Sequence, residues 1–214
     1  ALSSAASDVY KRQIVDVPRV EAEGSSFVYS TIPLGILFND EAIVTVSLNE
    51  SPIINDFIKG RVKSFYTFKK TRFILQLLYK NATRFLMYLK QIDKASSAVQ
   101  NELHKSMKNK ELIQLLALEK SLVYFSTSLT SNEMVLDKMM KLGYIKKYQD
   151  DVELLEDVIV ENKQAIEMCN IYRDILSGTM DAFASVISNN LNIVMKLMTS
   201  ITIITVSYTH LRAH

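Results

Sequence analysis

The sequence is poor in the residues that most catalytic and metal chemistry requires. It contains one cysteine, Cys169, which excludes an internal disulfide, and two of its three histidines, His210 and His214, lie within the last five residues. A metal site built from cysteine and histidine is therefore not expected. No glycine-rich phosphate-binding loop occurs, and no nucleophile, base and orienting group fall together in one motif. These absences argue against an enzyme.

The sequence also lacks an excess of either charge. Its formal net charge is +2, and without residues 1–13 and 206–214 it has 22 basic and 22 acidic residues. A nucleic-acid-binding protein normally shows a clustered basic excess, so we expect no nucleic-acid partner. The two terminal tracts match neither the periodicity nor the chemistry of the segments they flank, and we interpret both as non-native, adapter-like sequence.

Proline is confined to the first quarter of the chain, at Pro18, Pro33 and Pro52, so nothing after position 52 forbids long helices. Residues 27–38 and 41–48 are rich in Val, Ile, Phe and Thr, and Asn39-Asp40 between them suit a tight turn. This pattern predicts a β-hairpin. Pro33 indicates an edge or a bulge in its first strand.

Two apolar stripes with heptad-like spacing predict two long helices. The first runs from about Thr67 to Lys105 and the second from Leu115 to Met139, and the short polar connector HKSMKNK predicts an antiparallel pair. Gly143 is placed to end the second helix. A third helix is predicted from about Asp150 to the end of the chain, far longer than a small domain is wide.

The third helix contains a polar seam with a period of 3.5 residues, and Met195 is its one large apolar member. Apolar residues lie on both sides of the seam instead of in it. A dry core could not bury these polar groups without partners, so the seam predicts either a water-filled pore between parallel copies or a solvated outer face. The seam consists of Asp174, Gly178, Asp181, Ser185, Ser188, Asn192, Met195, Thr199 and Thr202.

The sequence after the seam's acidic part favours the pore. No charged residue lies between Asp181 and Lys196, and the following ten residues, LMTSITIITV, carry none either. Ten residues are too few to cross a bilayer, which needs about 20. We interpret residues 197–205 as the truncated start of a first transmembrane helix. Polar groups on a helix that enters the membrane must be satisfied inside an oligomer.

Three stretches of the sequence resemble the CorA-type magnesium transporter family. Residues 155–203, LEDVIVENKQAIEMCNIYRDILSGTMDAFASVISNNLNIVMKLMTSITI, resemble the family's stalk helix, and residues 123–136, VYFSTSLTSNEMVL, resemble the helix before it. Residues 34–48, LGILFNDEAIVTVSL, are similar to a hairpin of its cytosolic domain. The resemblance covers nearly all of residues 20–205. The family's Gly-Met-Asn signature and second membrane helix are absent from the sequence, which leaves the ion selectivity open.

The resemblance implies a homopentamer in the cell (inner) membrane that moves magnesium and is gated by intracellular magnesium. It places Asn192, Met195, Met198 and Thr199 at the cytosolic entrance of the pore, where Asn192 would meet a hydrated cation and the methionines would form a hydrophobic constriction. Asp181 would add a ring of carboxylates that concentrates or binds cations. Ser185 and Ser188 would line the same pore.

The resemblance also implies a regulatory magnesium site at Asp157. This residue lies in an acidic cluster near the start of the third helix, with Asp150, Asp151, Glu153, Glu156 and Glu161. Oxygen ligands suit a hard cation, but acidic residues near a helix N-terminus are also ordinary complements of the helix dipole. The sequence does not identify a partner acid in the cytosolic domain.

We therefore expect an α+β, mainly helical protein without enzymatic activity. Residues 14–145 would form part of a cytosolic α/β domain ending in an antiparallel helical hairpin, and residues 146–196 a pore-lining stalk helix, all on the cytoplasmic side. The expected function is magnesium transport, with cobalt, nickel or zinc as alternative cargo. A soluble helical interaction protein is the alternative from a different class.

Overall fold

The computed structural model describes residues 11–23, 26–39, 41–63, 65–106, 109–141 and 148–212. The chain divides into two compact units, one ending at Asp174 and the other beginning at Ile175. In chain order the elements are β1 (Lys11–Glu23), β2 (Ser26–Phe38), β3 (Ile43–Ser47), α1 (Pro52–Ile58), α2 (Lys70–Ser106), α3 (Asn109–Lys141) and α4 (Gln149–Arg212).

The three strands form one antiparallel sheet in the order β1-β2-β3. The predicted hairpin is confirmed as β2 and β3, with Phe38 opposite Ile43. The Asn39 side chain stabilises the turn because its Oδ1 accepts hydrogen bonds from the backbone N–H of Glu41 at 2.9 Å and of Ala42 at 2.7 Å. Asparagine at this position thus supplies the turn with side-chain as well as backbone hydrogen bonds.

Strand β1 was not predicted from the sequence. It begins at Lys11, opposite Phe38 of β2, and its register with β2 runs unbroken to Glu23 opposite Ser26. The tract interpreted as adapter-like, residues 1–13, therefore overlaps the sheet by three residues, so position 13 is not a structural boundary. The non-native origin of the two terminal tracts stays a prediction, and residues 1–10 and 213–214 lie outside the described residues.

The predicted bulge at Pro33 is wrong, because Pro33 pairs in register with Asp16, and β2 as a whole is the middle strand of the sheet and not an edge. The sheet tolerates the proline for a local reason. Pairing of β2 with β3 begins at Leu34, so Pro33 has a strand on one side only. The missing N–H of proline thus costs no hydrogen bond to β3.

The helices confirm the predicted mainly helical α+β class. The two expected helices appear as α2 and α3, and the third as α4, which begins at Gln149. The ring of Phe85 in α2 contacts that of Phe125 in α3, and Asn81 and Asn132 both reach the backbone of Asp16, so α2 and α3 run antiparallel. The short helix α1 was not predicted. Gly143, the expected end of α3, lies outside the described residues.

The core of the first unit lies between one face of the sheet and the helices. Val15 and Val17 of β1 and Leu34 and Ile36 of β2 are almost fully buried against α1, α2 and residues of α3 and α4. Alternate residues of β3 point the other way, and Val44 and Val46 are exposed. One side of each strand thus supplies the core, as expected for a sheet covered on one face.

Three polar residues of α3 attach the sheet to the helices. Asn132 is buried, and its amide accepts from the Asp16 N–H and donates to the Asp16 carbonyl, both at 2.8 Å. Asn81 of α2 donates to the same carbonyl at 2.8 Å. The hydroxyl of Ser128 bonds that of Thr31, also at 2.8 Å, and the backbone N–H of Tyr29 donates to Ser121 Oγ at 3.4 Å. These bonds fix the position of β1 and β2 on α3.

Candidate functional site

The predicted acidic cluster lies on the first turns of α4, in the first unit. Asp151, one member of the cluster, has a structural role. Its buried carboxylate accepts a hydrogen bond from the guanidinium of Arg72 in α2, with 3.3 Å between Nη1 and Oδ1. The two residues are 79 positions apart, so sequence spacing did not suggest this pair. Asp151 therefore holds α4 to α2.

Asp157 is exposed, as are Asp150, Glu153 and Glu156 of the same cluster. Glu153 accepts a hydrogen bond from Gln149, one turn earlier, at 3.2 Å. Among the described residues of this single chain, no group of three or more Asp, Glu, His and Cys is placed to hold a metal ion. A magnesium ion at Asp157 would need ligands from water or from a second copy, and its role there stays a prediction.

The segment of α4 beyond the cluster is attached to α3 by two side-chain hydrogen bonds. The amide of Asn162 donates to the Leu129 carbonyl at 3.2 Å, and the thiol of Cys169 donates to the Leu122 carbonyl at 3.1 Å. These pairs show that α3 and α4 run antiparallel. Cys169 is fully buried, and burial raises its pKa to about 11.

The predicted pore residues all lie in the second unit, where each of them is exposed. At 100° per residue, Asp181, Ser185, Ser188, Asn192, Met195 and Thr199 fall within an arc of about 80° on the helix surface. Met198 points about 100° away from Thr199 and so flanks the seam. The helix thus keeps the seam on one continuous face.

Three hydroxyl groups of the seam donate to their own helix. Ser185 donates to the Asp181 carbonyl at 3.0 Å, Thr199 to the Met195 carbonyl at 2.8 Å, and Thr202 to the Met198 carbonyl at 2.8 Å. Such bonds to the carbonyl four residues earlier satisfy the hydroxyl hydrogen without water. The hydroxyl oxygens keep lone pairs that face outward, so the seam presents mainly hydrogen-bond acceptors.

The rest of this surface is apolar and equally exposed. Leu191, Ile193 and Val194 lie on the flanks of the seam, and each exposes more than half of its surface. From Ala182 to Leu211 the only Asp, Glu, Lys or Arg is Lys196. Helix α4 contains a stretch that is long and apolar enough to cross a membrane. The chain thus combines an α+β unit with an apolar helix that carries a polar seam and is long enough to cross a membrane.

The comparisons with known proteins identify the family. The chain belongs to the family described as CorA-like Mg2+ transporter protein, whose model matches residues 5–209. It is 26% identical over 214 residues to the cobalt/magnesium transport protein CorA of Methanocaldococcus jannaschii, covering 88% of this chain and 64% of that protein. The chain therefore spans less than two thirds of the length of this relative.

Two solved structures show the same fold. The complete structure of the CorA magnesium transporter from M. jannaschii superposes with a TM-score of 0.78 at 23% identity, covering 90% of this chain and 61% of that one. The cytoplasmic domain of ZntB from Vibrio parahaemolyticus superposes with a TM-score of 0.62 at 12% identity, covering 86% of this chain and 70% of that one. At these identities the likeness establishes the fold alone.

Proposed function

We propose that this chain is part of a homopentameric divalent-cation channel that conducts magnesium across the cell (inner) membrane. Residues 14–196 lie on the cytoplasmic side, and residues 197–205 begin the first transmembrane helix. The observation that carries the proposal is the exposed polar seam on a helix with one charge between Ala182 and Leu211. The membership in a magnesium-transporter family supports the same cargo.

The exposure of both surfaces of this helix favours an oligomer. A lone helix in water leaves its apolar flanks unburied, and a dry helix bundle would bury Asp181 and Asn192 without partners, at a cost of several kcal/mol. Parallel copies around a water-filled central axis resolve both problems. Their apolar flanks pack on each other and their seams enclose water.

The seam's chemistry suits a hydrated cation. Water bound to magnesium points its hydrogens outward, and the seam offers acceptors because Ser185 and Thr199 donate internally. Asn192 adds amide oxygens at the entrance, and Asp181 adds a ring of carboxylates that attracts cations. Magnesium gives up its water reluctantly, so recognition through the hydration shell is expected. Met195 and Met198 form the hydrophobic constriction that gates the pore by dewetting.

Regulation is proposed to act through the exposed acidic face at Asp157. Carboxylates crowded between copies repel one another when the site is empty and are bridged when magnesium binds. The ion then favours the closed state because it binds that state more tightly. Asp151 takes no part in this site, since Arg72 already neutralises it.

Magnesium is the proposed cargo, and cobalt is a second one. The M. jannaschii relative is named as a cobalt/magnesium transport protein, which supports competition between the two ions. Nickel is an alternative cargo for the same chemical reason, since nickel, like cobalt, accepts oxygen ligands and travels as a hydrated ion. Zinc transport and a soluble interaction protein have no specific observation in their favour.

The test compares two asparagines of α4 in the complete protein reconstituted into liposomes. Asn192 lies in the seam, whereas Asn189, also exposed, lies about 40° outside the nearer edge of its arc. Asn192→Ala should reduce magnesium influx at least tenfold, and Asn189→Ala, the matched control, should leave it within twofold. Cys169→Ala, a buried change remote from the seam, should resemble the control. Equal influx through all three variants would refute the pore.

A further inference from the structure

Lys196 is the one charged residue in a long apolar stretch of α4. No other Asp, Glu, Lys or Arg occurs from Ala182 to Leu211, and the Lys196 side chain is exposed in the second unit. The nearest carboxylate along α4 is that of Asp181, 15 residues earlier, which is too far for an ion pair on one helix. The ammonium group of Lys196 must therefore find water or another acceptor.

Around the helix, Lys196 lies at the edge of the seam. At 100° per residue it falls about 20° outside the arc of the seam and about 40° from Asn192. Leu197, the next residue, lies about 120° outside the same arc. Side chains on a helix point towards its N-terminus, so the stem of Lys196 runs back over the turn that contains Asn192. This direction brings the ammonium group towards the seam and away from the apolar residues that follow.

The side-chain amides near Lys196 lie on its N-terminal side. Asn189 and Asn192 precede it within two turns, whereas no Asn, Gln, Asp or Glu follows it in α4. The hydroxyls that follow, those of Thr199 and Ser200, donate to carbonyls one turn earlier at 2.8 and 2.9 Å. In the proposed ring of copies the seam holds the water, and an unpaired ammonium group must stay hydrated. The seam beside Asn192 therefore offers Lys196 both water and an amide oxygen.

We propose that Lys196 is a tethered cation at the edge of the pore entrance and that it limits the passage of magnesium. Its ammonium group uses the acceptors that a hydrated magnesium ion would use, and the two like charges repel each other where water is confined. The carboxylate of Asp181 draws cations into the seam, and Lys196 opposes it. This inference rests on the proposed channel and adds to it a residue that sets its rate.

The first test varies the charge at position 196 in the complete protein reconstituted into liposomes. Lys196→Arg keeps the charge and should leave magnesium influx within twofold of wild type. Lys196→Gln should raise influx roughly two- to fivefold, the effect of one exposed charge interaction, and Lys196→Glu should raise it further. Both increases should shrink as the ionic strength rises. The matched control Lys90→Gln, an equal loss of charge at an exposed position on α2, should leave influx within twofold.

A second test changes the charge on protein that has already folded and assembled. Lys196→Cys in a Cys169→Ala background is reconstituted, and influx is measured before and after treatment with a methanethiosulfonate that carries a trimethylammonium or a sulfonate group. The trimethylammonium group restores the positive charge and should lower influx towards wild type, whereas the sulfonate group should raise it. Leu197→Cys in the same background, which lies far outside the arc of the seam, should show unchanged influx with either reagent.

The outcomes separate this inference from the proposed function. If Asn192→Ala lowers influx but Lys196→Gln and Lys196→Glu leave it unchanged, the pore stands and the tethered cation is refuted. Lower influx in Lys196→Gln, as expected of a lysine that binds lipid headgroups, would also refute it, and so would an equal effect of both reagents on Lys196→Cys. If neither Asn192→Ala nor any change at position 196 alters influx, the seam does not line a pore and both proposals fail.

Discussion

Cys169 reports directly on whether α4 stays packed on α3. Its thiol is fully buried and donates to the Leu122 carbonyl at 3.1 Å. A thiol reagent can reach it only when α4 separates from α3 or the unit unfolds. We therefore expect Cys169 to react far more slowly than an exposed cysteine on the same helix. Ser188→Cys in a Cys169→Ala background provides that comparison.

Burial raises the pKa of Cys169 from 9.0 to about 11, so the closed state contains little reactive thiolate. The reagent reaches the thiol only in the open state, where burial no longer raises the pKa. The labelling rate is therefore the rate of an exposed cysteine multiplied by the population of the open state, which is below one hundredth when opening costs about 3 kcal/mol. An overall ratio of at least a hundredfold is expected in the native protein, and it should vanish in denaturant.

The same pKa predicts a loss of stability at alkaline pH. Below about pH 9 the thiol is protonated in both the folded and the unfolded state. Between pH 9 and 11 the unfolded state releases its proton first, so the free energy of unfolding falls as pH rises, by roughly 3 kcal/mol over this window. Cys169→Ala should lack that part of the slope. In the labelling experiment, a Cys169 rate in the native protein within tenfold of the Ser188→Cys rate would refute the packing of α4 on α3.

Three further perturbations test the attachments and the acidic face. Asn132→Ala removes both bonds to Asp16 and should speed amide hydrogen exchange in β1, at a cost of roughly 2–3 kcal/mol, whereas Asn109→Ala should change it little. Arg72→Ala leaves Asp151 buried without its partner and should lower the free energy of unfolding by roughly 1–3 kcal/mol, as measured by urea denaturation. In the complete protein, Asp157→Asn should raise the magnesium concentration at which α4 becomes protected from proteolysis, and Asp157→Lys should protect α4 without magnesium. If the magnesium titrations of wild type and both variants superimpose, Asp157 has no regulatory role.

The sequence predicted the elements whose signals are local. Asn39 between two β-rich runs identified the hairpin, and the stripes around Phe85 and Phe125 identified α2 and α3. Strand β1 was missed because it starts within residues 1–13, which were interpreted as adapter-like sequence, and because it includes Pro18. Its partners on the helices, Asn81 and Asn132, lie 65 and 116 residues from Asp16, beyond the reach of any spacing rule.

For the candidate site, the period of the seam could be predicted from the sequence, but the tertiary contacts of individual side chains could not. Asp151 looked equivalent to its acidic neighbours, and only the fold brings Arg72 against it. The exposure of Asp157 likewise depends on which face of α4 packs on α3, and that is decided by Asn162 and Cys169. A helical period predicts which residues share a face, but tertiary contacts determine which face is buried.

The hydrogen bonds of the seam alter the argument by which the sequence suggested a pore. A polar face was expected to require water because each hydroxyl needs a partner, yet Ser185, Thr199 and Thr202 find theirs in the preceding turn. The hydroxyl hydrogens therefore do not demand a pore. What remains is a face of hydroxyl lone pairs with the carboxylate of Asp181 and the amide oxygen of Asn192. Such a face receives hydrogen bonds better than it gives them. A hydrated cation presents hydrogens and a hydrated anion presents lone pairs, so in the proposed pore the seam would favour the cation by the direction of hydrogen bonding as well as by charge.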